Sequence, residues 1–179
     1  MPIARPIQRF RVIQGTKPKA LSGSGRVGLI RLASLVLAAV SMAAGLAHLF
    51  TLPNKIHLPR DEYFTVQQIY RGWARFGIVL VAAWAGSIWS TLLTRRVRSE
   101  MRPSAAAAIC LTVSLLLFLA FTLPANLATR NWTFAPANWE QLRAQWEYSH
   151  ALAASLDFTA FLSLALSLGG APNRPRLAG

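Results

Sequence analysis

The segment Trp146-Glu147-Tyr148-Ser149-His150 sets a carboxylate and an imidazole three residues apart, directly before the largely apolar run from Ala151 to Gly170. On a helix such residues lie on one face, about 5–6 Å apart. A Glu and a His so placed can share a metal ion, as they do in helical bundles. They can also contact a substrate directly, without a metal. The structural alternative is that Glu147 only neutralises Arg143 and His150 only bonds a carbonyl. Asp157, seven residues after His150, is nearly eclipsed with it at about 100° per residue. An acid in mid-span needs a partner; the plain reading is a protonated Asp hydrogen-bonded across helices. One face of this helix therefore displays Arg143, Glu147, His150 and Asp157. His48, at the far end of an earlier apolar run, lies at comparable depth if it faces inward. His48, Glu147 and His150 would make a two-His, one-carboxylate set of the kind that binds non-haem iron, zinc or copper.

The elements that must position these residues are membrane spans. The chain has 179 residues, 54% apolar and only 14% charged, against roughly 25% charged in soluble domains. Four segments can cross about 30 Å of hydrocarbon as helices. They are Val27 to Leu52, a stretch within Tyr70 to Leu93, Ser104 to Leu123, and His150 to Leu168. The fourth helix starts before the membrane, near Pro136. Pro53 and Pro59 are expected to end the first. Small residues such as Ala82, Ala83, Ala85, Gly86 and Ser87 allow close helix packing. The fold expected is all-α, a four-helix transmembrane bundle over residues 27–170. A basic disordered tail (1–26) and a short tail (171–179) flank it.

Net charge is +13, distributed as membrane flanks and not as one stripe, which disfavours nucleic acid as a partner. The N-terminal tail, the Arg95–Arg102 hairpin and the C-terminal tail carry most of the basic residues. By the positive-inside rule both termini are cytoplasmic, in a membrane that the Ala- and Arg-rich composition suggests is a bacterial inner membrane. A basic tail before an apolar run also resembles a signal peptide cleaved near Ala43-Ala44, but the run is long for one. The single cysteine, Cys110, excludes an intramolecular disulfide and disulfide-exchange chemistry, and reads as a packed thiol.

The two loops on the non-cytoplasmic side are chemically varied. They bring Tyr70, Trp73, Asn126, Arg130, Trp132, Trp139 and Trp146 toward His150. Aromatic residues here form either an interfacial belt or the walls of a flat apolar pocket. Tyr70, Trp73, Trp146 and Asp157 are the expected pocket lining. His57 reads as a loop residue.

Ala47-His48-Leu49-Phe50-Thr51-Leu52-Pro53-Asn54-Lys55, Gln67-Gln68-Ile69-Tyr70, Leu123-Pro124-Ala125-Asn126 and the Trp146–His150 segment resemble the small four-helix membrane family that includes fungal anthrone oxygenases. The resemblance covers roughly residues 30 to 168. It implies oxygenation of a polycyclic aromatic carbon acid, often without an obvious cofactor. His150 would then be the base, Asn126 and Arg130 would stabilise the enolate, and Glu147 would orient His150 or complete a metal site. The leading expectation is a membrane oxidoreductase acting on an apolar aromatic or quinone-like substrate. It uses no cofactor or a single non-haem metal. Two others stand beside it. One is a non-enzymatic subunit of a larger membrane complex. The other is a transporter or haem carrier, with His48 and His150 ligating one haem and Asp157 relaying protons.

Overall fold

The computed structural model describes residues 23–169, whose regular elements are all helices. Four helical crossings form the bundle. Helix α1 runs Gly23–Lys55, α3 Phe76–Thr94, α4 Arg98–Leu117 and α6 Trp139–Gly169. Two short helices, α2 (Arg60–Gln67) and α5 (Leu123–Ala128), lie at one end. Consecutive crossings are neighbours: α1 packs on α3, α3 on α4, α4 on α6, and α6 closes the ring on α1. Each crossing is long and apolar enough to span a membrane, with α4 and α5 counted as one rod.

The packing is inverted relative to a soluble bundle. Ser34, Ser87, Ser90, Ser104, Ser114 and Ser167 are buried with Ala38, Ala83, Ala107, Ala154 and Ala160. Phe50, Ile78, Trp89, Ile109, Leu116 and Leu166 are exposed. Small residues let the backbones approach, and hydroxyls link the helices where no water competes. Ser34 meets Ser90 at 3.3 Å between α1 and α3, and Ser104 meets Ser167 at 2.8 Å between α4 and α6. Large apolar side chains face outward because lipid is the solvent there.

Several boundaries differ from expectation. Pro53 lies inside the last turn of α1, which continues to Lys55. A proline this near a helix end forfeits one backbone bond and no more, since the following turn is ending anyway. Pro59 directly precedes α2. Helix α4 begins at Arg98 and carries Pro103 in its second turn. Its first turn is tied down by Arg31, whose Nη1 donates to Glu100 Oε2 at 2.8 Å, and by the Ser167 hydroxyl, which donates to Glu100 O at 2.9 Å. Arg31 also donates to the Ser167 carbonyl and hydroxyl. Residues 23–26, expected in the tail, belong to α1; the remainder of both tails lies outside the described residues.

The α4–α5 rod is not a regular helix. Residues Phe118–Thr122 form a π-helical turn that ends two residues before Pro124. Proline has no N–H for the carbonyl one turn back and its ring crowds that carbonyl, so the turn widens. Such bulges turn side chains toward sites, and here Phe118 and Thr122 face a cavity.

Candidate functional site

The cavity follows from unequal helix lengths. Phe76, the first residue of α3, lies beside Val40, Ala43 and Ala44 of α1. Helix α1 continues eleven residues past Ala44 to Lys55, about 16 Å at 1.5 Å per residue. One corner of the bundle is thus left open at this end. The chain from Arg60 to Arg75 folds across it as α2 and two 3₁₀ turns, Gln68–Tyr70 and Trp73–Arg75. The region expected as an irregular loop is therefore mostly helical. Gly72, at φ +88° with open space around it, makes the reversal that a side chain would resist. Under this cover lies a cavity of about 440 Å³, within the usual range for small-molecule sites.

His48 and His150 form one wall ring against ring, with centroids 4.3 Å apart. Tyr70 and Trp146 flank His48 at 4.3 and 4.9 Å, and Trp73 meets its edge at 5.6 Å. His150 Nδ1 lies 2.9 Å from Trp146 O. A carbonyl only accepts, so Nδ1 carries the proton and Nε2 keeps its lone pair. His48 Nδ1 is buried and closes no hydrogen bond.

Glu147 is not part of this pair. It is buried to 1% exposure, and its Oε1 meets Lys55 Nζ at 3.0 Å. The same oxygen accepts from Tyr63 Oη at 3.0 Å and Gln67 Nε2 at 3.3 Å. Lys55 also lies over the Tyr70 and Trp146 rings, at 4.8 and 5.2 Å. Burial, followed by the adjacent Glu147 carboxylate, raises Tyr63 above the ordinary phenol range, so its hydroxyl stays a donor. Arg143, expected to neutralise Glu147, instead donates to Leu58 O at 2.7 Å and covers the Trp139 ring. This cluster pins α2 and the ends of α1 and α6 together.

Two cofactor expectations change on this geometry. The His48, Glu147, His150 ligand set is not assembled, because Glu147 is engaged by Lys55. Among the described residues no group of three or more His, Cys, Asp or Glu side chains is placed to hold an ion. A haem between the two histidines does not fit either. Axial ligands oppose each other across the macrocycle, and rings already in contact leave it no room.

Asn126 lines the cavity, and its Oδ1 accepts from Trp146 Nε1 at 2.9 Å and Trp132 Nε1 at 3.2 Å. It fixes two indoles, and only its amide N–H₂ is left for a ligand. Arg130 is exposed, stacked over Phe134, and does not line the cavity. Arg130, Asn131 and Trp132 have φ of 49°, 55° and 62°, a left-handed turn that carries Arg130 outward while Trp132 packs beneath. The arginine at the cavity is Arg71, bonded to Gln68 Oε1 at 2.9 Å. Tyr70, Trp73, Trp146 and Asp157 all line it. His57 is exposed in the turn after α1.

At the cavity floor Asp157 Oδ2 accepts from Ser41 Oγ at 2.9 Å, the hydrogen bond across helices that a mid-span acid requires. The α1–α6 seam is thus a series of polar pairs, Ser41 with Asp157, His48 with His150, and Lys55 with Glu147. Sequence reasoning missed Ser41 and Lys55, yet both stand seven residues from His48 and share its face. It also missed Tyr63 and Gln67, whose placement depends on the fold of α2. On the outer side of α1 and α3, an apolar groove shares Ala44, Trp73 and Phe76 with the cavity wall.

The chain matches no family model, no curated protein and no solved structure.

Proposed function

We propose that this multi-pass membrane protein takes a flat, apolar ring compound from the bilayer and oxidises it beside the His48–His150 pair. The observation that carries this reading is the free Nε2 of His150 in the wall of an aromatic-lined cavity of small-molecule size. A neutral imidazole with one fixed N–H and one free lone pair can accept a proton from a bound ligand. The ring walls suit a planar substrate. The apolar groove beside Trp73 and Phe76 supports delivery from lipid. The sharper assignment, to a polycyclic carbon acid and dioxygen, draws on the resemblance of the Trp146–His150 and Leu123–Asn126 segments to the anthrone-oxygenase group.

In that chemistry His150 Nε2 removes a proton from an activated ring methylene. The carbanion charge delocalises onto the ring oxygen, near Arg71 and the Asn126 amide. Dioxygen accepts the carbanion's electrons and forms the new C–O bond as a hydroperoxide. Loss of the second C–H proton with cleavage of the O–O bond then gives a ketone and one water. One dioxygen is consumed per methylene converted. Glu147 acts by position: its bond to Lys55 locks α6 against α1 and keeps the imidazoles opposed. The basic residues at the opposite end of the bundle support an orientation with both termini cytoplasmic and the cavity mouth on the other side, in a bacterial inner membrane.

The test is oxygen uptake by purified protein given anthrone as the carbon acid, with metal content measured in parallel. His150→Ala is expected to lower turnover by at least about 100-fold, and Glu147→Gln to lower it less. Unchanged turnover in both variants would remove the reading.

A further inference from the structure

The cavity is polar at two levels. The upper level holds the histidine pair; the floor holds Ser41, Ser114 and Asp157. Asp157 lies seven residues below His150 on α6, and Ser41 seven below His48 on α1. Both separations amount to about 10 Å along a helix axis, the length of a few fused rings. Between the levels the helices close tightly: a Cβ on Gly45 would lie 3.2 Å from Ala154 Cα.

Asp157 is only 5% exposed. Its Oδ2 is taken by Ser41, and the Ser114 hydroxyl stands beside the same carboxyl. Its Oδ1 is buried and closes no hydrogen bond. Leaving a carboxyl oxygen unmatched in an apolar surround is costly, and Asp157 lines the cavity. We infer that the floor is a specificity subsite for a hydrogen-bond donor at the leading end of the ligand, a ring hydroxyl delivered to Asp157 Oδ1. This rests on the ring-ligand reading above and narrows it to hydroxylated ring compounds.

The test uses full-length protein in lipid nanodiscs and three probes, anthracene, 2-methoxyanthracene and 2-hydroxyanthracene. Binding is read from energy transfer out of the cavity tryptophans and corrected for partitioning into protein-free nanodiscs. The hydroxyl probe is expected to bind about tenfold more tightly than the other two, the scale of one hydrogen bond. In Asp157→Leu that preference falls to about one while anthracene still binds. In Gly28→Ala, on an open helix face outside the cavity lining, it persists. If Asp157→Leu does not fold, Asp157→Asn, of the same shape but with a weaker acceptor, is expected to cut the preference to below about threefold. Equal binding of the three probes by the native chain, tighter binding of the methoxy probe, or a preference that survives loss of the acid overturns the inference alone. Failure of all three to bind overturns it together with the cavity reading.

Discussion

The Lys55–Glu147 pair gives the sharpest energetic prediction. Lys55 is 3% exposed and Glu147 1%, so neither charge is screened by water. Lys55→Met keeps the apolar stem and deletes the charge, leaving the carboxylate with Tyr63 and Gln67 alone. Removing one member of a buried pair costs about 3–5 kcal/mol, and the two surviving donors place this variant near about 3. Glu147→Gln leaves the ammonium held by the Tyr70 and Trp146 faces, contacts worth about 2 kcal/mol when desolvated, so its cost is about 2. In the double variant no charge is stranded. The introduced amide oxygen would still accept from Tyr63, and the loss is below about 1 kcal/mol, since a buried pair replaced as a unit is often close to neutral. The assay is reversible unfolding in mixed micelles by sodium dodecyl sulfate titration, followed by tryptophan fluorescence. The double variant is expected to be more stable than either single variant. Additive losses, or single losses under about 1 kcal/mol, would refute the reasoning.

Two glycine positions test the packing and the turn. Gly86→Ala puts a Cβ 2.5 Å from Ser34 Oγ, which already bonds Ile30 O and Ser90. A loss of about 1–2 kcal/mol is expected from overpacking, partly recovered in a Ser34→Ala background, by the same titration. Gly72→Ala meets no neighbour but must hold φ +88°, and should cost about 1 kcal/mol from the backbone alone. Gly28→Ala, on an open helix face, serves as the control and should gain about 0.5–1 kcal/mol by helix propensity. Equal effects of Gly72→Ala and Gly28→Ala would refute the backbone argument.

How much of this was legible in the sequence depends on the range of the interaction involved. Spans are set by local apolar length, so the four crossings could be read within a few residues. Pro53 misled because a proline near a helix end breaks too little to stop it. Seven-residue spacing put Asp157 under His150, and the same spacing puts Ser41 and Lys55 on the His48 face. What spacing could not show was which acid meets which base. Glu147 pairs across the seam with Lys55 and not along its own helix with Arg143, because antiparallel packing brings the ends of α1 and α6 together. The Arg130 expectation failed on three successive left-handed residues, which side-chain type does not announce. Helix α2 was hidden because its polar residues read as loop, while Tyr63 and Gln67 are buried only once the corner above α3 is covered.

Proton abstraction by His150 can be measured apart from oxygen chemistry. Under argon in deuterated buffer, the purified protein is incubated with anthrone, and deuterium at the ring methylene is followed by mass spectrometry. The native chain is expected to speed exchange above the buffer and micelle rate, with His150→Ala returning it to that rate. Exchange that the protein does not accelerate, or that His150→Ala accelerates equally, would contradict the account.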